Sequence, residues 1–319
     1  MTEDHQAWRG SCPGCAGSLE ILSHGVLAPF VCELIEEPVG TETRLCHCGK
    51  CDLNIFSFRY TSSQMASLYS GYRESRYRNT RRKWEPWYSA KINDANSASS
   101  VEIADRRMFM DRLLRRSSVP DRIECAVDFG GDEGQFFPDV ETARKIVIDV
   151  SNRPLAAGIE RMSSLGELGD ARADLVIVAH VLEHLPDPLG TLSEIRRSIA
   201  SDGLLYVEVP YDGFRTSARQ ATNSYRRYLR ILSRSKWLFV ALDLGSGVWR
   251  QLCSRIPVWG IVKQSEHINY FSSRSLGSLL EKAGFRVVAE ELEPRATVGR
   301  MRIGRYGIVA GPTTDAKGR

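Results

Sequence analysis

The stretch Cys125-Ala126-Val127-Asp128-Phe129-Gly130-Gly131-Asp132-Glu133-Gly134-Gln135-Phe136 constrains the fold of this chain more than any other. It reads as a buried strand, a glycine-rich turn and the start of a helix. Glycine carries no Cβ and tolerates a positive φ, so such a turn lets the backbone approach a ligand closely. The next apolar run, Lys145-Ile146-Val147-Ile148, is closed by an acid, Asp149. In an open α/β sheet, a carboxylate at the end of the second strand can accept hydrogen bonds from ribose hydroxyls. The pair of features therefore predicts a nucleoside-binding α/β domain.

The sequence beyond residue 123 fits that expectation. Strand candidates fall at 123–129, 145–149, weakly at 158–162, at 174–180 and at 204–209. They alternate with helical patterns, which argues for a parallel sheet with crossover helices. Asp174 to His180 is apolar almost throughout, as a strand covered on both faces should be. Asp187-Pro188 supplies an N-cap and a first-turn proline for a helix with Leu189, Leu192, Ile195 and Ile199 inward and Arg196 and Arg197 outward. We expect Gly203 to stop it. A short helix from Ser275 to Ala283 is closed by Gly284, and Phe285–Ala289 and Tyr306–Ala310 read as the last strands. Upstream, Ser99-Ser100-Val101-Glu102 has the pattern of a capping box. The helix it opens offers Val101, Ala104, Met108, Leu113 and Leu114 as a core face and ends at Pro120.

Six of the eight cysteines lie between residues 12 and 51. Cys12-Pro13-Gly14-Cys15 and Cys48-Gly49-Lys50-Cys51 form two C-x-x-C pairs, the pattern of paired zinc knuckles that present four thiolates to one tetrahedral ion. Cys46, His47 and Cys32 are further candidates; Cys48 with Cys51 repeats the spacing of the first pair. Short apolar runs around Leu19–Leu22, Val26-Leu27 and Leu53–Phe58 suit the strands of a zinc ribbon. So small a segment depends on its metal, which is worth on the order of 10–16 kcal/mol in peptide models. We place a leader at 1–10, the ribbon at 11–60, a connector at 61–95, the main domain at 96–311 with an insertion at 211–266, and a polar tail at 312–319.

In the connector and just before it, Arg59, Arg73, Arg76, Arg78, Arg81, Arg82 and Lys83 alternate with Phe58, Tyr60, Tyr69, Tyr72, Tyr77, Trp84, Trp87 and Tyr88. Such interleaving could stack on bases and contact phosphates. It could equally bind the diphosphate of a nucleotide sugar. The third reading is that the rings weld the ribbon to the main domain while the arginines stay solvated.

Together, Val127–Gly134, Asp149, the block Ala179-His180-Val181-Leu182-Glu183-His184-Leu185-Pro186-Asp187-Pro188, and Glu266-His267-Ile268-Asn269-Tyr270-Phe271 before Leu279–Phe285 resemble the class I S-adenosylmethionine-dependent methyltransferases. The resemblance covers roughly residues 120–310. It implies a doubly wound, mostly parallel seven-stranded sheet of Rossmann-like type. It also implies S-adenosylmethionine as cofactor, held by Asp128, Gly130, Gly131, Asp132, Gly134, Asp149 and His180. The middle glycine of the family's G-x-G-x-G is Asp132 here, which makes that residue a candidate contact to the methionine amino group. Ser163 to Leu165 could border the adenine. The zinc-ribbon leader looks more loosely like sugar-modifying methyltransferases of surface-glycan and antibiotic-sugar pathways.

A hydroxyl acceptor needs a base near neutral pH, for which histidine is suited. His184 and His267 are the two candidates; His184 could instead buttress its helix. Substrate specificity is expected in the insertion, where Gly213 to Leu242 carries seven Lys or Arg and no Asp or Glu. Tyr225, Tyr228, Leu229, Leu232 and Trp237 follow helical spacing there. Trp249, Leu252, Ile256, Val258 and Trp259 come after them. A helical cap, a lid over a phosphorylated substrate, and contact with an anionic membrane surface through 213–260 are all compatible readings.

Hydrophobic content of 42% and charged content of 26% are ordinary for a globular protein. Met1–Gln6 is polar and acidic, and no apolar run approaches the roughly 20 residues of a spanning helix. With the clustered cysteines, this points to the cytosol. The net charge of +4 is a weak bias towards anionic partners. The expectation is a zinc-containing methyltransferase acting on a sugar, as a nucleotide sugar or surface-polysaccharide intermediate, with nucleic acid not the expected partner. The rivals are an RNA base methyltransferase whose ribbon holds RNA, and a non-catalytic scaffold that kept the fold.

Overall fold

The computed structural model describes residues 10–95, 100–151, 153–211, 216–253, 255–293 and 304–313. The N-terminal part starts with strand β1 (Glu20–Leu27), helix α1 (Pro29–Leu34), β2 (Glu42–His47) and β3 (Asn54–Phe56). Three connector helices follow: α2 (Ser62–Tyr69), α3 (Ser75–Trp84) and α4 (Ala90–Ala95). Thr61 opens α2 with a capping box, its hydroxyl accepting from the Gln64 N–H while the Gln64 side chain accepts from the Thr61 N–H.

Helix α5 (Ser100–Arg116) leads into the main sheet: β4 (Arg122–Phe129), β5 (Glu141–Ile148), β6 (Ile159–Met162), β7 (Ala173–Ala179), α6 (Pro188–Ser198) and β8 (Ile199–Tyr211). Two helices fill the insertion, α7 (Asn223–Leu232) and α8 (Lys236–Cys253). The chain closes with β9 (Lys263–Gln264), β10 (Asn269–Tyr270), α9 (Ser273–Lys282), β11 (Phe285–Glu293) and β12 (Gly304–Pro312).

The main sheet has seven strands in the order β11-β12-β8-β7-β4-β5-β6. The run from β8 to β6 is parallel, and β12 is antiparallel to both of its neighbours, β8 and β11. This is the expected doubly wound sheet. Strand order reverses at β4, whose neighbours are β5 and β7, so a crevice opens beyond the carboxyl ends of these strands. Val127, Val176, Val178 and Val207, all fully buried, form its middle.

The second sheet runs β10-β3-β2-β1-β9, so the N-terminal strands are flanked by one strand from the end of the insertion and one from just after it. Val26 and Leu27 of β1 pair with Lys263 and Gln264, and Asn54 and Ile55 of β3 pair with Tyr270 and Asn269. The insertion packs on this sheet as well: Tyr225, Leu229 and Leu232 of α7 and Phe239 of α8 share a cluster with Val26 and Ile261. No helix among the described residues is long and apolar enough to cross a membrane.

Several local expectations need correction. No helix follows the glycine turn: residues 130–140 are turns and bends that run directly into β5. Positive φ at Gly130, Asp132 and Gly134 is incompatible with a right-handed helix, and Pro138 lacks the N–H one would need. In α5 the buried residues are Phe109, Met110, Leu113 and Leu114, whereas Met108 is 66% exposed. The serine proposed to cap α5, Ser99, lies outside the described residues. Helix α6 is capped by Asp187, which accepts from the Gly190 N–H at 2.9 Å. It ends at Ser198, and Gly203 lies within β8, where an added Cβ would meet the carbonyl oxygen of Ala173 at 2.9 Å. Arg196 is not simply solvated; it donates to the carbonyls of Gly284 and Thr313, both at 3.0 Å.

Candidate active site

The bend after β4 is shaped by what lies against it. A Cβ at Gly130 would stand 2.4 Å from Val181, and one at Gly131 would stand 2.4 Å from the Asp128 carboxyl. Neither position accepts a side chain without displacement. Gly134 has a different function: at φ +79° its missing Cβ makes room for Ile159 and Val147, so it serves packing under the turn. Asp149 follows β5 and faces the bend. One carboxylate oxygen accepts from the Asp132 N–H at 3.0 Å and the other from the Ser151 N–H at 2.6 Å. The Asp132 side chain accepts from the Ser151 hydroxyl at 3.0 Å and from Arg153 at 3.1 Å.

These groups border one cavity of about 1510 Å³. Gly130, Asp132, Asp149 and His180 line it, as do Ser163, Ser164 and Leu165 beside β6. Asp128, Gly131 and Gly134 are not among the lining residues. Asp128 is buried under the turn with one carboxylate oxygen lacking any hydrogen-bond partner. Burial pushes its carboxyl up to about 7, opposed by Arg106 and reinforced by Asp149 and Asp132.

His180 follows β7 in the left-handed region, at φ 58°. Its ring nitrogen Nε2 lies 2.8 Å from Glu208 and its Nδ1 lies 3.3 Å from Glu183. Burial and Arg106 oppose protonation of this ring, but the two carboxylates outweigh them and raise its pKa. Glu208 also accepts from Arg106 at 3.1 Å and from the Tyr206 hydroxyl at 2.7 Å. Glu208 and Arg106 both line the cavity and were missed by sequence reasoning. The available signal was a carboxylate in the otherwise apolar run Leu204–Val209.

On the opposite side stand both candidate bases. The His184 and His267 rings meet edge to face at 4.7 Å, and both line the cavity. His184 is anchored through Nδ1, 2.7 Å from the Tyr69 hydroxyl and 3.2 Å from the Glu266 carbonyl. Burial and the neighbouring His267 lower its pKa to about 4. Glu183 is 1% exposed, and the nearest cationic groups to its carboxylate are the ring nitrogens of His180 at 3.3 Å and His184 at 3.9 Å. Burial works against its ionisation, yet the three histidines around it hold its pKa at about 2. Donor atoms of Glu183, His184 and His267 lie within 4.8 Å of one another, compact enough to surround a cation.

The connector forms the rest of this wall. Glu266 accepts from Arg81 at 3.0 Å and from the Tyr77 hydroxyl. Arg81 also pairs with Glu85 at 2.7 Å and lies over the rings of Phe30 and Tyr88. Arg59 is buried at 8% exposure, donating to the Pro186 carbonyl at 2.8 Å and to Asn269 at 2.7 Å. Phe58, Tyr60, Tyr77, Trp84 and Tyr88 share one core with Phe30 and Leu34 of α1 and with Ile268, and Arg59 and Arg81 are engaged beside them rather than left in solvent.

The four C-x-x-C thiols converge, with Cys12–Cys51 and Cys15–Cys48 sulfurs each 3.4 Å apart and all four within 4.8 Å. A tetrahedral zinc site with Zn–S near 2.3 Å sets its sulfurs roughly 3.8 Å apart, so the set is of the right size. Cys46 and Cys32 are buried elsewhere and do not belong to it. The cluster sits on α9, where the Ser272 hydroxyl donates to the Cys51 carbonyl at 3.1 Å.

A model of the methyltransferase domain family matches residues 101–290. The chain belongs to that family. It is an S-adenosylmethionine-dependent methyltransferase. No curated protein matches the chain. Among solved structures, the Burkholderia thailandensis 1,6-didemethyltoxoflavin-N1-methyltransferase, with S-adenosylhomocysteine bound, is 16% identical over 70% of this chain and 83% of its own, with a TM-score of 0.41. The mitomycin 7-O-methyltransferase MmcR is 18% identical over 76% of this chain and 64% of its own, with a TM-score of 0.38. CalO1, a methyltransferase of calicheamicin biosynthesis, is 14% identical over 70% of this chain and 58% of its own, with a TM-score of 0.37. The match thus spans less than two thirds of the last two proteins. Likenesses this distant say nothing about the acceptor.

Proposed function

We propose that this methyltransferase acts in the cytosol on a hydroxyl of an anionic sugar, as a nucleotide sugar or a surface-polysaccharide intermediate, with His267 as the base. One observation carries the reading. His267 stands on the cavity wall against His184, in the same cavity as the Gly130 bend and Asp149. Tyr69, Tyr72 and Trp87 line that cavity and suit the apolar face of a sugar ring; Arg73 and Arg250 line it and suit its negative charge.

The residues present fit the cofactor. Gly130 lines the cavity, and the bend closes over Asp128 so tightly that a Cβ at Gly131 would strike its carboxyl, one oxygen of which has no hydrogen-bond partner. Asp149 would take the ribose hydroxyls with the lone pairs its backbone bonds leave over. His180 would flank the bound molecule. The Asp132 carboxylate is already engaged by Arg153 and Ser151, so a contact to the methionine amino group would have to be shared. When bound, S-adenosylmethionine supplies a methyl group on a sulfonium that is itself a good leaving group. The protein's own contribution is alignment of the acceptor and removal of its proton. Tyr69 fixes the His184 ring, and His184 in turn supports His267 from behind.

The four cysteines, in the same proposal, hold a structural zinc ion. A second reading of the Glu183–His184–His267 cluster is that a divalent cation there, rather than a free imidazole, lowers the acceptor's pKa. A chelator that abolishes transfer while the cysteine site stays loaded would favour the cation.

The deciding experiment is a methyl-donor assay against nucleotide sugars, glycans and RNA, read by mass spectrometry. Methylation of a sugar hydroxyl is expected. Methylation of RNA alone would overturn the acceptor assignment, and no transfer to any acceptor despite cofactor binding would favour a scaffold.

A further inference from the structure

Helix α8 buries Phe239 but otherwise departs from the usual arrangement of a surface helix. Its polar residues Asp243 and Ser246 point inward, at 7% and 5% exposure. Its outer face carries Trp237, Leu244, Val248 and Leu252, at 82%, 47%, 50% and 57% exposure. These positions are spaced seven, four and four apart, so they form one stripe along the helix, roughly 22 Å long at 1.5 Å per residue. Beside the stripe, Trp259 lies across the helix at Gly245 and is itself 42% exposed.

The inward polarity has a clear cause. Asp243 accepts from Lys263 at 2.6 Å, and Lys263 also pairs with Glu85 of the connector, so α8 is held from within by buried ions. Its apolar side has no such partner among the described residues, and a stripe of this size on a lone surface marks an interaction site.

Charge identifies the partner. Between residues 216 and 262 the only acid is Asp243, which is buried, while Arg227, Arg234 and Arg255 are exposed. A second copy of the chain docked through this face would set like charges against each other. Glu42 of β2 neutralises Arg226 and Arg230, but the segment's own exposed charges are all basic, and exposed tryptophans beside them suit the interface of an anionic bilayer. We propose that α8 lies in the surface of an anionic membrane and seats the enzyme there. Leu244 and Val248 belong both to the exposed stripe and to the lining of the catalytic cavity. The cavity mouth is therefore brought to the lipid surface, where an amphiphilic, lipid-linked acceptor would be met. Membrane seating rests on α8 itself and stands whether or not the acceptor is a sugar.

The test is co-sedimentation of the full chain with vesicles of phosphatidylcholine alone or mixed with phosphatidylglycerol, at low and moderate salt. Binding to the anionic vesicles, weakened by salt and accompanied by a blue shift of tryptophan emission, is expected. Trp237→Ser with Leu252→Ser should reduce it by on the order of tenfold or more. Arg227→Glu with Arg234→Glu should reduce it by at least about tenfold. In both double variants S-adenosylmethionine affinity by calorimetry should stay at the wild-type value, which separates this proposal from the cofactor assignment. Absence of binding, equal binding to both vesicles, or binding unmoved by either pair of substitutions overturns it. So does a concentration-dependent dimer that Trp237→Ser with Leu252→Ser dissolves, which would make a second copy the occupant.

Discussion

The Asp149 carboxylate is bonded to the Asp132 N–H at 3.0 Å, so the acid that closes β5 also fastens the bend that follows β4. The two elements read separately in the sequence face one cavity. Asp149→Ala should weaken S-adenosylmethionine by on the order of 2–3 kcal/mol, the value of charge-assisted hydrogen bonds, as measured by calorimetry. Unchanged affinity would refute the ribose placement.

Asp128 makes stability depend on pH. Its folded pKa of about 7 lies above the ordinary aspartate value near ~3.9. Between those values the folded state holds a proton that the unfolded chain has released, so stability falls as pH rises through the window and levels off above it. Asp128→Asn should abolish that loss in the cofactor-free protein. Denaturant titrations should show the variant gaining on wild type by several kcal/mol, roughly 4 at most, between about pH 4 and pH 8. A constant difference between the two would contradict the buried, protonated carboxyl.

Arg59 joins the two sheets by donating to the carbonyls of Leu185 and Pro186 and to Asn269. Arg59→Met should cost on the order of 3 kcal/mol or more, because the buried Asn269 side-chain oxygen and the Pro186 carbonyl lose this donor. Arg59→Lys should recover little, since one ammonium cannot reproduce the planar fork. Thermal unfolding would measure both.

Removal of the ion proposed at Cys12, Cys15, Cys48 and Cys51 should unfold more than the N-terminal strands. The cluster shares its core with Leu276 and Leu279 of α9. Zinc content of one ion per chain is expected in protein purified without chelator. Cys48→Ser should lower the melting temperature sharply, because such sites contribute on the order of 10 kcal/mol.

His267→Asn should lower kcat by about 10²–10⁴, the usual contribution of a general base, with S-adenosylmethionine affinity unchanged. His184→Asn should be milder if His184 only supports its neighbour. The reverse order of effects would exchange the two assignments.

Much of the main domain was legible because its signals are local. The apolar run ending at Asp128-Phe129, the glycines after it, Asp149 and the Asp187-Pro188 helix start each depend on nearest-neighbour chemistry, and each lies where it was expected. The helix expected after the turn was a local error with a local cause, the positive φ values and Pro138. Glu183, Glu208 and Arg106 were not found, because a buried charge is recognisable only beside its partner. Arg106 and Glu208 are far apart in the sequence, and their 3.1 Å contact exists only in the fold.

The sequence by itself determined the parallel sheet, the glycine bend after β4 with Asp149 closing β5, and the two cysteine pairs, all set by periodicity, turn chemistry and spacing within short segments. Only the tertiary structure decided that β9 and β10 complete the N-terminal sheet, that Arg59 is buried and Arg81 is tied to Glu85 and Glu266, and that Trp237, Leu244, Val248 and Leu252 of α8 stay exposed. Those outcomes depend on which surfaces meet across long separations. In α8 the inward face holds Phe239 together with Asp243, whose partner Lys263 lies twenty positions away and is recognisable only in the fold.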